Sequence, residues 1–165
     1  MSYLLAIPVT ILLLILQTTL GSQVNLLSGN ADFLLVWLVG WGLFSKDQSV
    51  WFWVLAFGLA ISYVSALPWY VTLVAYLLVT MIARFVQSRL WQTPLMSMFV
   101  IILTGSIFLY LLSYVGLMIN GYSFDFQETL VQIIIPSVFM NLFLGLLFYP
   151  LVRDTAAWVQ KREVD

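Results

Sequence analysis

Apolar segments near the length of a membrane-spanning helix recur along this chain, and most charged residues lie between them. The longest of these segments, 95–119, contains no charged residue, and about 20 apolar residues suffice to cross the hydrocarbon core of a bilayer. Apolar residues make up 63% of the 165 residues and charged residues only 8%, whereas an ordinary globular domain is about one-quarter charged. A water-soluble fold could not hide so much apolar surface, so the sequence predicts an all-α integral membrane protein.

The segments predict about six transmembrane helices in a single polytopic domain that covers residues 1–165. The predicted helices occupy residues 3–20, 31–44, 50–66, 69–83, 95–119 and 130–152, and a hydrophilic tail follows at 153–165. The first segment lacks a preceding basic region and a following cleavage site, so we interpret it as a retained helix and not as a secretory signal. The second and fourth helices are short for a full span. A hairpin of the third and fourth helices that does not cross fully therefore stays an alternative.

The positions of the basic residues predict the topology. With six crossings and a cytoplasmic N-terminus, every lysine and arginine lies on the cytoplasmic side. These residues are Lys46, Arg84, Arg89, Arg153, Lys161 and Arg162. The loops after the first, third and fifth helices then contain none, as the positive-inside rule requires. We therefore expect both termini to lie in the cytoplasm.

Residues that catalysis and metal binding need are scarce in this sequence. Cysteine and histidine are absent, which excludes thiol nucleophiles, imidazole bases and nearly every transition-metal site. An intramembrane aspartyl protease needs two carboxylates that meet, and Asp32 alone lies near a predicted membrane edge. Asp125 and Glu128 are interpreted as loop charges and are a weak signal for calcium. No basic stretch of the kind that binds nucleic acid is present. We expect no enzyme activity, no cofactor, no metal and no nucleic-acid partner.

Small or polar residues recur at every fourth position on two of the predicted helices. The two lines are Gly58, Ser62 and Ala66 on the third helix, and Ser137, Asn141 and Gly145 on the sixth. This spacing lets helix backbones approach closely inside a membrane. An amide is costly against lipid, so Asn141 should face protein or a water-filled cavity. Two interpretations stay open: the lines hold this protein's own helices together, or they contact another chain.

Two single residues mark positions where helix geometry should change. Asp32 lies in the first turn of the predicted second helix, where a carboxylate suits the helix dipole. It is interpreted as a helix cap or, alternatively, as a ligand-binding acid. Pro136 lies one residue before the second line, and a proline inside a helix frees a backbone carbonyl. We therefore expect a kink at Pro136.

Several segments resemble the bacterial rod-shape-determining protein MreD family. The second predicted helix carries ADFLL at 31–35 and GWGL at 40–43, and the third carries FGLAIS at 57–62. The closing helix carries IPSVFMN at 135–141 and FYPLVR at 148–153, and in the family a proline, an asparagine and a final Tyr-Pro-Leu recur there. Length, helix layout and order agree over nearly the whole chain.

Two positions depart from the family pattern. Ala31 stands where the family has a proline before the aspartate, and Ser62 stands where the family has an acidic residue late in the third helix. If that acid has a role in the family, this chain does without it.

The resemblance implies a non-enzymatic scaffold of the cell-elongation machinery in the bacterial cytoplasmic (inner) membrane, with a role in cell shape and peptidoglycan synthesis. The implied partners are membrane lipid, an MreC-like bitopic scaffold and, through it, a RodA-type glycosyltransferase and a class B penicillin-binding protein. The family also resembles, in fold, the substrate-binding subunits of energy-coupling-factor vitamin transporters. The alternative is therefore a small-molecule-binding subunit, for which polar candidates are sparse: Asp32, Gln132, Asn141 and the loop 122–127.

Overall fold

The structure, a computed structural model, describes residues 2–19, 28–46, 48–65, 67–89 and 93–164. Within these ranges the chain forms six helical segments, which confirms the all-α prediction. Their bounds are α1 Ser2–Thr19, α2 Phe33–Phe44, α3 Val50–Val64, α4 Trp69–Arg89, α5 Pro94–Ile119, and a sixth segment that joins α6 Phe126–Thr129, a π turn Leu130–Ile134 and α7 Ile135–Val164.

Three helices are long and apolar enough to cross a membrane, as judged by length and composition. They are Trp69–Ser88, Pro94–Ile119 and Phe126–Lys161. Three other apolar helices in the described ranges are shorter: Tyr3–Thr19, Phe33–Phe44 and Val50–Val64. The fold is therefore that of a helical membrane protein in which long and short helices pack together.

Helix α2 forms the centre of the bundle. Its 12 residues rise about 18 Å, which is well short of the roughly 30 Å hydrocarbon core of a bilayer. Every residue from Phe33 to Leu43 is buried, and α2 packs against α1, α3, α4, α5 and α7. A helix that is apolar on all sides is typical of such an enclosed position. Because protein surrounds α2, its short length leaves no backbone facing lipid.

Side chains of two neighbouring helices satisfy the last carbonyls of α2. Nη1 of Arg84 and Nε2 of Gln87 donate to the carbonyl oxygen of Ser45, at 2.7 and 2.8 Å. Nε2 of Gln160 donates to the carbonyl oxygen of Phe44 at 2.9 Å. The last carbonyls of a helix lack intrahelical partners and carry partial negative charge. A guanidinium and two amides therefore suit this end of α2.

The predicted end of the fourth helix is wrong. We expected a polar turn from Arg84 onward, but α4 continues to Arg89. Arg84 and Gln87 lie three residues apart, and both side chains reach Ser45, so they form a polar face of α4 that binds the end of α2. The predicted start of the second helix is also early, since α2 begins at Phe33 and not at residue 31.

The predicted end of the sixth helix at Val152 is wrong as well. Helix α7 continues to Val164, so the expected hydrophilic tail is helical. Val152, Ala156 and Val159 are all buried in the core. Their spacing of four and three residues places them on one face of the helix, and this apolar face holds the C-terminal half of α7 against the bundle.

A π turn lies directly before Pro136. The N–H of Ile135 donates to the carbonyl oxygen of Leu130, five residues earlier. Pro136 has no N–H to offer the carbonyl of Gln132, four residues earlier. The backbone N–H of Ser28 donates to that carbonyl instead, at 3.1 Å. A π turn thus lies close to the position where the sequence predicts a kink. The hydrogen bond from Ser28 links this turn to the chain before α2.

Candidate functional site

The chain enters α2 through a non-helical segment, residues 28–32, that lies against α7. Gly29, Ala31 and Asp32 are buried. A Cβ added at Gly29 would lie 2.7 Å from the backbone nitrogen of Ser137, so glycine is required for this close approach. Inside a membrane protein, non-helical backbone needs hydrogen-bond partners from the protein, because lipid offers none.

Side chains of α5 and α7 supply several of these partners. Oγ of Ser137 accepts the N–H of Asn30 at 2.9 Å, and Oδ1 of Asn141 accepts the N–H of Asp32 at 2.6 Å. The hydroxyl of Tyr110 donates to the carbonyl oxygen of Asn30 at 2.9 Å. Polar side chains on two helices thus take the place of the missing helical hydrogen bonds.

The amide of Gln17, on α1, bridges the junction between this segment and α2. Its Nε2 donates to the carbonyl oxygen of Ala31 and its Oε1 accepts the N–H of Phe33, both at 2.8 Å. Asn141 makes a further hydrogen bond to α5, in which its Nδ2 donates to Oγ of Ser106 at 2.9 Å. We call the side chains of Gln17, Asp32, Tyr76, Ser106, Tyr110, Ser137 and Asn141 the polar cluster.

Asp32 is the N-cap of α2 and the one carboxylate of the polar cluster. Its Oδ1 accepts the N–H of Leu35 at 2.9 Å. The hydroxyl of Tyr76 donates to both carboxylate oxygens at 3.0 Å. The side chain is almost fully buried, and none of these described partners is a cation. Burial opposes the negative charge of the carboxylate, and the N-terminus of α2 and the hydroxyl of Tyr76 partly offset this cost.

A pocket of about 160 Å³ opens beside Asp32. Its lining includes Thr72, Tyr76, Tyr110 and Ser113, from α4 and α5. Thr72 is only 3% exposed, and its Oγ1 has no hydrogen-bond partner among the residues that the structure describes. A buried hydroxyl without a partner is uncommon in folded proteins, so Thr72 marks this pocket as a place where a ligand or a water molecule can bind.

Three of the predicted site residues meet in the polar cluster: Asp32, Ser137 and Asn141. Gly145, which completes their line on α7, lies apart from the cluster. A Cβ added at Gly145 would lie 2.6 Å from Cδ1 of Ile102, so Gly145 allows α7 to approach α5.

The other predicted line lies elsewhere on the molecule. Gly58 is buried, and a Cβ added there would lie 3.4 Å from Cα of Leu73, so this part of α3 packs on α4. Ser62 is partly exposed and donates to the carbonyl oxygen of Leu59 at 2.6 Å. Ala66 lies outside the described residues. The structure therefore does not bring the two predicted lines together.

The sequence analysis missed Gln17, Tyr76, Ser106 and Tyr110 of the polar cluster, and Thr72 of the pocket. A signal was available for Gln17, because an amide within an apolar helix needs a partner. Tyrosines carry a weaker signal, since they also occur at membrane interfaces. Their convergence on residues 28–32 depends on helix packing, which the spacing of residues within each helix does not determine.

The polar cluster offers one carboxylate, several hydroxyls and two amides beside an open pocket. Within the described ranges, no three metal-ligating side chains of the His, Cys, Asp and Glu types lie together. The arrangement is suited to hold non-helical backbone and to accept hydrogen bonds from a small group in the adjacent pocket. No protein-family model, curated protein or solved structure matches this chain.

Proposed function

We propose that this protein is a non-enzymatic scaffold of the bacterial cell-elongation machinery, of the MreD kind, in the cytoplasmic membrane. The observation that carries the proposal is the small share of described residues that lie outside the helices. Most described residues belong to the six helical segments, and the longest connection that the structure describes in full, residues 120–125, has six residues. A protein built in this way recognises partners mainly through its helices. The resemblance of residues 31–43, 57–62 and 135–153 to the family supports this choice among membrane proteins.

The proposed partner is a bitopic protein similar to MreC, whose single transmembrane helix docks on the outer surface of the bundle. Through it, the scaffold holds a RodA-type glycosyltransferase and a class B penicillin-binding protein where peptidoglycan is made, while lipid covers the remaining surface. Small residues at helix surfaces favour such docking. Since Gly58 packs on Leu73, Ser62 is the described residue of its line that a partner can reach.

The proposed arrangement in the membrane has six crossings and cytoplasmic termini, with a fold like that of energy-coupling-factor substrate-binding subunits. The short helix α2 is compatible with this arrangement because its two ends bind side chains and not lipid. Lys46 follows the C-terminal end of α2, Arg84 lies within the last two turns of α4, and Arg153 and Lys161 lie in the C-terminal half of α7. The positive-inside rule favours placing these basic residues on the cytoplasmic side.

Copurification from native membranes tests the scaffold. We expect the tagged wild-type protein to retrieve the bitopic partner and the glycosyltransferase. Ser62→Leu should reduce the yield of the bitopic partner several-fold, because membrane helix contacts contribute only about 1 kcal/mol each. Thr104→Leu is the matched control, since Thr104 is also a hydroxyl residue on an exposed helix surface and bonds to its own helix.

Two outcomes separate the parts of the proposal. Wild-type protein that retrieves none of these partners contradicts the scaffold function. If Ser62→Leu and Thr104→Leu retrieve the partner equally well, docking at Ser62 is wrong while the scaffold stands. Gly58→Leu tests the α3–α4 contact instead, and it should lower the melting temperature because the larger side chain meets Leu73.

A second candidate is a vitamin-binding subunit of an energy-coupling-factor transporter. The pocket of about 160 Å³ beside Asp32 favours it, because small-molecule sites combine a cavity with a few convergent polar groups. Uptake of a vitamin that requires a separate ATPase module would favour this candidate over the scaffold.

A further inference from the structure

Two pockets adjoin at the end of the bundle that holds residues 28–32. The polar pocket beside Asp32 has a volume of about 160 Å³, and a second pocket has a volume of about 220 Å³. The two pockets share Leu67, Tyr110 and Ser113 in their linings. Beyond these residues the second pocket is lined mainly by apolar side chains, among them Leu117, Phe124 and Ile133. Two adjoining pockets, the first with polar groups beside apolar ones and the second almost wholly apolar, suit the two ends of an amphiphile.

Most hydroxyl groups in the polar pocket already donate their single hydrogen atom to a partner within the protein. Tyr76 donates to Asp32, Tyr110 donates to Asn30, and Ser113 donates to the carbonyl of Leu109. Each of these oxygen atoms keeps lone pairs that can accept a hydrogen bond. The pocket therefore presents mainly acceptors to a ligand, with the hydroxyl of Thr72 as a further donor or acceptor, and this favours a ligand that is rich in donors.

The carboxylate of Asp32 also favours a ligand that carries a positive charge. Its partners among the described residues are a backbone N–H and a tyrosine hydroxyl, so no cation in the described part of the chain neutralises it. A buried carboxylate is most stable beside a positive group that also donates hydrogen bonds. A primary ammonium carries one positive charge and three N–H donors. It matches both the charge and the acceptors of the pocket.

Thr72 supplies an independent indication that the pocket binds a ligand. Its side chain lines the pocket, is 3% exposed and has an Oγ1 without a partner among the described residues. A buried hydroxyl loses its hydrogen bonds to water when the protein folds, and this cost is recovered when a ligand provides a partner.

From these observations we propose that the joined pockets bind an amphiphile with a primary-ammonium head and an aliphatic chain. The ammonium lies beside Asp32, within reach of Thr72, and the chain follows the apolar pocket past Leu117. The ligand is a phosphatidylethanolamine lipid or a free alkylamine, since both carry this chemistry. Binding at this site is separate from partner docking at Ser62.

Lipid retention by the purified full-length protein tests the proposal. The protein is placed in nanodiscs of phosphatidylethanolamine or of phosphatidylcholine, released, and weighed by native mass spectrometry. The two lipids share the phosphate and the chains, but the quaternary ammonium of phosphatidylcholine has no N–H donor. We expect one retained phosphatidylethanolamine and about tenfold weaker retention of phosphatidylcholine, because hydrogen bonds to a charged group are lost.

A second arm distinguishes the two sources of the ammonium. Octylamine is added to the protein in phosphatidylcholine nanodiscs, and octanol serves as the uncharged control. Stabilisation against heat by octylamine alone, without selective retention of phosphatidylethanolamine, assigns the site to a free amine. Selective retention of phosphatidylethanolamine assigns it to the lipid. If neither lipid selectivity nor selective stabilisation by octylamine appears, the proposal is wrong.

Single substitutions test whether lipid retention depends on this site. Asp32→Asn keeps an oxygen that can cap α2 but removes the charge, and it should weaken retention about tenfold. Thr72→Val keeps the shape and removes the hydroxyl, so a loss of about threefold or more is expected. Ser62→Ala is the control, because Ser62 lies outside both pockets. If Asp32→Asn fails to fold, lipid retention by Thr72→Val alone tests the proposal. Wild-type retention in a folded Asp32→Asn or in Thr72→Val overturns the proposal.

Discussion

Asn141 is fully buried, and both polar atoms of its amide have partners. Its Oδ1 accepts the N–H of Asp32 and its Nδ2 donates to Ser106. The sequence analysis expected Asn141 to face protein or water, because an amide is costly against lipid. Its partners could not be predicted in the same way. Asp32 lies 109 residues away along the chain, and only packing of α2, α5 and α7 brings the three side chains together.

Asn141→Leu should reduce the free energy of unfolding by about 1–3 kcal/mol, because it leaves the buried N–H of Asp32 without its acceptor. The measurement is unfolding of the purified protein by SDS in mixed micelles. Ser106→Ala removes one of the two hydrogen bonds of Asn141 and should cost less. The double variant should lose less than the sum of the single variants, since they share one hydrogen bond. Strict additivity would show that the two side chains act independently.

The helices illustrate which parts of the fold a sequence pattern predicts. Apolar segments identified all six helical segments, because a chain in lipid must satisfy its backbone within helices. The pattern failed where helices continue beyond the apolar segment. After Ala83, the side chains of Arg84 and Gln87 bind the end of α2. After Val152 the sequence is polar overall, but one face of helix α7 stays apolar. Composition alone does not distinguish such a helix from a loop.

Val159→Asp tests whether the C-terminal half of α7 belongs to the core. Val159 is 2% exposed, and burial of an unpaired carboxylate there should cost more than about 3 kcal/mol. We expect a lower melting temperature in detergent. Lys161→Asp, which changes an exposed position in the same turn, should change stability by less than about 0.5 kcal/mol. Equal melting of both variants would mean that this half of α7 is a dispensable tail.

The molecule as a whole is polarised along α2. Asp32 and the two adjoining pockets lie at the N-terminal end of α2, and Arg84 and Gln160 bind its C-terminal end. The second end is basic, since Arg84 binds it and Lys46 directly follows it, whereas the loop with Tyr122 and Phe124 carries no basic residue. If this polarity follows the membrane normal, the pockets open to the side opposite the cytoplasm.

Labelling of single cysteines tests this orientation. Ser88→Cys and Asp154→Cys, at exposed positions near the basic end, should be shielded from an impermeant thiol reagent added to intact cells. Ser123→Cys, in the exposed loop between α5 and α6, should react. The protein has no cysteine of its own, and permeabilised cells, in which all three variants should react, provide the control. Reaction of Ser88→Cys in intact cells would contradict the topology.

The hydrogen bonds of residues 28–32 also impose an order on biosynthesis. This segment leaves the ribosome with α1 and α2, whereas Ser137 and Asn141 follow roughly a hundred residues later. At about 5–20 residues per second, the delay lasts roughly 5–20 s. During this time the backbone N–H groups of Asn30 and Asp32 lack these acceptors and have only water or the insertion machinery as partners. The hydrogen bonds of the segment that leads into α2 are thus completed only after α7 is made.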